Sequence, residues 1–188
     1  MWPKQIGSDI IMACGTGSAR SSDGGRSWKL STTSTLPVTE SMVAADGRTP
    51  NSLTMMIRSG GALGNHAVAK SDDRGDTWST PTPLSIAGTT NEGSIGRDVR
   101  APPGHVFLGT TYGRNRYFLG RANMTAFALD TTATAPKPTA VQNMWAYAAG
   151  YSDFAQVWRD GKPGPLLMLF EAGATVYDRG IKLAPMAA

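Results

Sequence analysis

An octet that occurs twice constrains this chain more than any other feature. Ser21–Trp28 reads SSDGGRSW and Ser71–Trp78 reads SDDRGDTW, both of the form Ser-x-Asp-x-Gly-x-(Ser/Thr)-Trp. The copies begin about 50 residues apart, and recurrence at such a period is the mark of a repeat architecture. A degenerate third copy, Ala128–Ala135 (ALDTTATA), keeps Asp130 and Thr134 but loses the Ser, Gly and Trp. The physics of the octet is that of a tight hairpin framed by Ser21 and Ser71. Asp23 and Asp73 accept hydrogen bonds from backbone N–H groups across the turn, Gly25 and Gly75 adopt positive φ, and Trp28 and Trp78 cover the apolar side. The period holds four short strands with their turns, which is one blade of a β-propeller.

The rest of the chain agrees. With 22 Gly and 12 Pro among 188 residues and only 17% charged residues, it is neither a disordered polar chain nor a coiled coil. Apolar segments are short and bounded by turn formers, the pattern of strands. Strands are expected near Ile10–Cys14, Glu40–Ala45, Leu53–Arg58, Ala67–Ser71, Ser94–Arg97, His105–Thr111, Met124–Leu129, Phe154–Trp158, Leu166–Phe170 and Val176–Leu183. Met55, Met56 and Met168 read as core fillers. The longest apolar run, Leu166–Phe170, is far short of the ~20 residues of a membrane-spanning helix.

Composition also narrows the chemistry. Lys and Arg exceed Asp and Glu by 18 to 14, but the cations are scattered, so a nucleic-acid partner has no support. A small anionic ligand suits the arginines better. One cysteine, Cys14, excludes an intrachain disulfide and a thiolate metal cluster, and two histidines argue against a His-rich metal site. No metal or cofactor is expected. The opening MWPKQIGSDI has no signal-like character, so localisation is not readable, and a secreted or lysosomal-like protein would need a signal elsewhere.

The octets resemble Asp boxes, best known from sialidases but found also in propellers without sialidase activity, and further segments, which concern the active site, resemble the sialidase (neuraminidase) family. TESMVAADG followed by NSLTMMIRS supplies Glu40 and Arg58 in the family's Glu…Arg arrangement between two boxes. NEGSIGRDVRAPPGHVFLGTTY is similar to the opening of the next blade. Arg121 in GRANMTAF matches an arginine that precedes a strand, with Arg114 and Arg116 close enough to replace it. GYSDFAQV resembles the segment that carries the family's catalytic tyrosine, here Tyr151, and LFEAG…VYDRGIKLAPM resembles the closing strands. This ordered series covers almost the whole chain.

The resemblance implies an all-β fold of about three to four blades of a six-bladed sialidase-like propeller, with residues 1–188 as its C-terminal part and boxes at 21–28, 71–78 and, degenerate, 128–135. It implies an exo-sialidase that hydrolyses terminal sialic acid from glycoconjugates with retention, with Tyr151 as nucleophile, Glu40 as its base, and Arg58 and Arg121 holding the substrate carboxylate. A tyrosine nucleophile is a known exception to the two-carboxylate pattern. It suits a substrate whose anomeric carbon bears a carboxylate, because an anionic nucleophile would meet like charge there. Glu92 is a candidate in place of Glu40 but reads better as a surface turn, and Glu171 as support for the closing strand. Asn123-Met-Thr125 is a sequon that reads as plain strand, and Gly15–Ser18 (GTGS) as a turn.

The family's first arginine and its acid/base Asp have no counterpart and would lie before Met1. Activity of the 188 residues alone is therefore expected to be weak or absent, and open sheet edges are expected to invite self-association. The alternative reading is a non-catalytic Asp-box propeller segment that binds glycan or protein.

Overall fold

In a computed structural model of the chain, residues 3–14, 17–32, 40–61, 64–86, 91–112, 121–174 and 179–186 are described. They form fourteen strands and no helix. The first sheet runs β1 (Lys4–Ile6), β2 (Asp9–Cys14), β3 (Gly17–Ser21) and β4 (Lys29–Thr32). The second runs β5 (Glu40–Ala45), β6 (Leu53–Gly61), β7 (Gly64–Ser71) and β8 (Thr82–Leu84). The third contains β9 (Ser94–Gly96), β10 (His105–Thr111), β11 (Ala122–Asp130), β12 (Thr139–Arg159), β13 (Lys162–Gly173) and β14 (Arg179–Pro185). Each sheet is an antiparallel meander in chain order.

The six-stranded sheet is two blades joined by one strand. β12 is 21 residues long; residues from Thr139 to Ala148 pair with β11, and those from Ala149 to Arg159 pair with β13. The expected strand Phe154–Trp158 is thus the second half of a longer one. Its first half gives little periodic signal, because Trp145 and Tyr147 alternate with small residues on a mostly exposed outer strand. The short strands β1, β4 and β8 also escape the sequence reading, since three or four residues carry no periodicity. β3 does so because its apolar content is one alanine. Val176–Asp178 of the expected last strand lie outside the described residues.

Successive blades hold each other by their faces. Ile11 and Ala13 of the first sheet pack with Leu53, Met55 and Ile57 of β6, and Trp78 joins them. Met42, Met56 and Val68 of the second sheet pack with Ile95, Leu108 and Phe127 of the third. Met124 and Ala126 meet Phe154, Leu166 and Met168 in a third cluster. β6 lies between two neighbours, so both of its faces are buried, and this explains the unbroken LTMMI run. The methionines do fill core: Met55, Met56 and Met168 are fully buried. β1, β5, β9 and the second half of β12 are the innermost strands and adjoin one another in that order. Lys4 on β1 reaches Asp153 on β12 at 2.6 Å, across from the first blade to the last.

Both octets occupy the connection from the third to the fourth strand of a blade and form the expected turn. Ser21 Oγ donates to Asp23 Oδ1 at 2.8 Å and accepts from the Gly25 amide at 2.8 Å. Asp23 also accepts from the Ser27 amide and hydroxyl at 2.9 and 2.6 Å. Ser71, Asp73, Gly75 and Thr77 reproduce the same bonds at 2.8, 2.8, 2.9 and 2.6 Å. Gly25 and Gly75 have φ of 90° and 85°. In the degenerate copy Asp130 keeps only a local turn to Thr132. One expectation is corrected. Trp78 is buried, its Nε1 donating to Ser18 of the preceding blade at 3.1 Å, whereas Trp28 remains 43% exposed and its Nε1 donates within its own turn, to the Gly25 carbonyl. The octet provides the tryptophan, and the blade before it provides the cover.

Candidate active site

The inner strands bring the candidate residues to one mouth of the array. Glu40 opens β5, Tyr151 stands early in the second half of β12, and Arg58 lies opposite Glu40 in the β5–β6 register. The octets lie at the other mouth. On β7, His66 pairs with Arg58 while Ser71 pairs with Leu53, about 17 Å further along the strand.

Two pairs result. Arg58 Nη1 donates to Glu40 Oε2 at 2.5 Å, in a partly buried ion pair. The Arg121 guanidinium sits over the Tyr151 ring, 5.6 Å from its centroid. Arg121 is aimed by an irregularity. Asn123 has φ of 55°, the register of β11 against β12 shifts on both sides of Met124, and the Tyr112 amide spans the carbonyls of Ala122 and Asn123. This is a β-bulge, a device that re-aims side chains beside sites. Asn123, read from sequence as plain strand, is its left-handed residue, a conformation Asn tolerates better than most.

Tyr151 is 37% exposed and lines an open cavity of about 560 Å³ with Glu92, Asp153, Leu169, Glu171 and Ile181. Its amide donates to Glu171 Oε2 at 3.4 Å. Glu92, expected on a surface turn, is half-buried in this wall. A second cavity, of about 450 Å³ at the opposite mouth, is lined by Ile95, Arg97, Val99, Phe154 and Trp158 and contains none of the candidate residues. Arg114 and Arg116 lie outside the described residues.

Between the two pairs lies a polar layer to which the sequence reading assigns nothing. His66, Asn91, Thr110 and Thr111 are buried there and hydrogen-bonded in series. They come from three separate segments, so no spacing in the sequence announces them. Burial, with the Arg58 charge second, holds the His66 pKa down to about 4, which makes the ring neutral. Among the described residues no cluster of His, Cys, Asp or Glu could hold a metal ion.

No family model and no curated protein matches this sequence. Solved structures do match its fold. The intramolecular trans-sialidase from Ruminococcus gnavus superposes with a TM-score of 0.64 at 22% identity over 90% of this chain and 38% of that one. A leech intramolecular trans-sialidase gives 0.66 at 19% identity over 98% and 31%. A protein of unknown function from Dyadobacter fermentans gives 0.59 at 18% identity over 92% and 48%. The chain spans about a third to a half of the length of these structures. It has the fold of part of a sialidase-like β-propeller.

Proposed function

We propose that this chain carries the nucleophile side of an exo-sialidase centre acting on sialylated glycoconjugates. The observation that carries the reading is the gathering of Glu40–Arg58 and Arg121–Tyr151 at one mouth of a sialidase-like sheet array. Arg58 and Arg121 would hold the carboxylate of sialic acid, a task suited to rigid donor forks. Tyr151 Oη would form a bond to the anomeric carbon while the bond to the departing glycan oxygen breaks. The phenol proton would pass to Glu40, and the departing oxygen would take a proton from a general acid for which the sequence reading finds no counterpart here. Water would then release the sugar from Tyr151 with net retention. In the structure Glu40 accepts from Arg58, and its contact with the Tyr151 hydroxyl belongs to the proposal.

The test removes the need for the acid. 2,3-Difluorosialic acid carries fluoride as a leaving group, which departs without protonation. Incubation with the chain should add one sugar to the peptide containing Tyr151, by mass spectrometry, and Tyr151→Phe should abolish the adduct. Absence of the adduct in the unaltered chain would overturn the nucleophile assignment. Saturable binding of sialylated glycan without an adduct would favour the non-catalytic reading, a glycan-binding propeller segment.

A further inference from the structure

One hydrogen-bonded line runs through the buried layer between the two pairs. His66 Nε2 on β7 lies 3.0 Å from Thr110 Oγ1 on β10. Thr110 and Thr111 each donate to Asn91 Oδ1 at 2.9 Å. Asn91 Nδ2 donates to the carbonyls of Glu92 at 3.1 Å and Gly150 at 3.0 Å. At one end His66 pairs with Arg58 across β6 and β7; at the other, Gly150 is covalently joined to Tyr151.

The line has a direction set by chemistry. Backbone carbonyls only accept, so the Asn91 NH₂ must face Glu92 and Gly150, and Oδ1 must face the threonines. The Thr110 hydroxyl hydrogen is then committed to Asn91, leaving its oxygen as an acceptor. His66 must supply Nε2–H, and its other ring nitrogen, Nδ1, which is buried with no hydrogen-bond partner among the described residues, carries a lone pair. The line also fills a gap. The register between β12 and β13 shifts between Ala149 and Ser152, so the strand ladder skips Gly150 and Tyr151. Asn91 takes up the Gly150 carbonyl, and Glu171 takes up the Tyr151 amide. With the ladder interrupted, these side chains fix the backbone that carries the phenol.

We infer that Asn91 and His66 are positioning residues, holding the Gly150–Tyr151 backbone at one spacing from the Glu40–Arg58 pair. Its consequence for turnover rests on the proposed function; the hydrogen-bonded line itself does not. Asn91→Asp would turn two donors into acceptors facing two carbonyls. His66→Leu would remove the donor to Thr110, and His66→Gln would keep an N–H at similar reach.

The experiment is NMR on the ¹⁵N- and tyrosine-labelled chain, with the Tyr151 signals identified by Tyr151→Phe and the Trp78 indole as a monitor of the fold. The expected results are an Nε2–H tautomer for His66 and Tyr151 signals that shift in Asn91→Asp and His66→Leu. In His66→Gln they should return toward the unaltered positions, with the Trp78 indole unchanged throughout. An Nδ1–H tautomer, or Tyr151 signals that stay put in both disruptive variants, would overturn the inference. Should Asn91→Asp fail to fold, the tautomer and the two His66 variants decide. Where the fluorosugar labels the chain, labelling should be about tenfold or more slower in His66→Leu than in His66→Gln, since small misplacements at a reacting centre are costly. If the unaltered chain is not labelled, the functional reading fails while the NMR outcome still stands or falls alone.

Discussion

His66 enters the folded protein as a neutral ring, and this has a measurable signature in stability. Its pKa falls from 6.5 to about 4, chiefly through burial and secondarily through Arg58. The unfolded chain therefore takes up a proton below about pH 6.5, while the folded chain does so only below about 4. The stabilisation is full above the unfolded value, declines as pH falls through that window, and levels off beneath it, a change of about 3 kcal/mol. Urea unfolding at a series of pH values should show this decline in the unaltered chain and a flatter one in His66→Gln. Equal slopes would mean that His66 titrates as it does in the unfolded chain. Asp23 works in a lower range: bonds from the Ser27 hydroxyl and amide and from Ser21 hold it at about 2, so its contribution is full above its ordinary value of 3.8 and is lost as pH falls from there through about 2. At the octets, Asp73→Ala should lower stability by about 1–3 kcal/mol in denaturant titration, by stripping three acceptor bonds from one turn. It should leave fluorosugar labelling of Tyr151 unchanged, because the turn lies at the far mouth.

Elements differ in how openly the sequence declares them. The octet is legible because its bonds close within eight residues, and β5 and β10 are legible because each is a short apolar run bounded by turn formers. The polar layer is not, because His66, Thr110 and Asn91 meet only after three segments have folded. A second repeat is visible in retrospect. Asp46-Gly47-Arg48, Asp98-Val99-Arg100 and Asp160-Gly161-Lys162 each sit at the first hairpin of a blade, and in the first two the basic residue bonds back to the aspartate. The two octet tryptophans show how much an element owes to its neighbour. Trp78→Ala, which empties a site bounded by Ser18 and Ser31 of the preceding blade, should cost about 3–5 kcal/mol, whereas Trp28→Ala should cost about 1 kcal/mol or less. Comparable losses in equilibrium unfolding would show that the two turns, rather than blade contacts, carry the energy.

At the scale of the molecule, stability is a chain of neighbours. Each apolar cluster lies between consecutive blades, and among the described residues the first blade is tied to the last by Lys4, which bonds to Asp153 and the Phe154 carbonyl, rather than by a shared core. Assemblies of this kind approximate a sum of nearest-neighbour interfaces. Native-state hydrogen exchange should then resolve β2 and β3 as a unit that opens separately from β10 through β14. A single opening free energy for both regions would contradict it. The strand that serves two blades adds a mechanical property. A load applied at Pro185 passes through the β14–β13 and β13–β12 ladders and then along the single backbone of β12 to the half that pairs with β11, with no loop between the two halves of β12. β12 is a tie rod between two blades, loaded in shear by the ladders on either side. Pulled from its C-terminal end in an optical trap, the last two blades should give way in one rupture rather than unzip in turn.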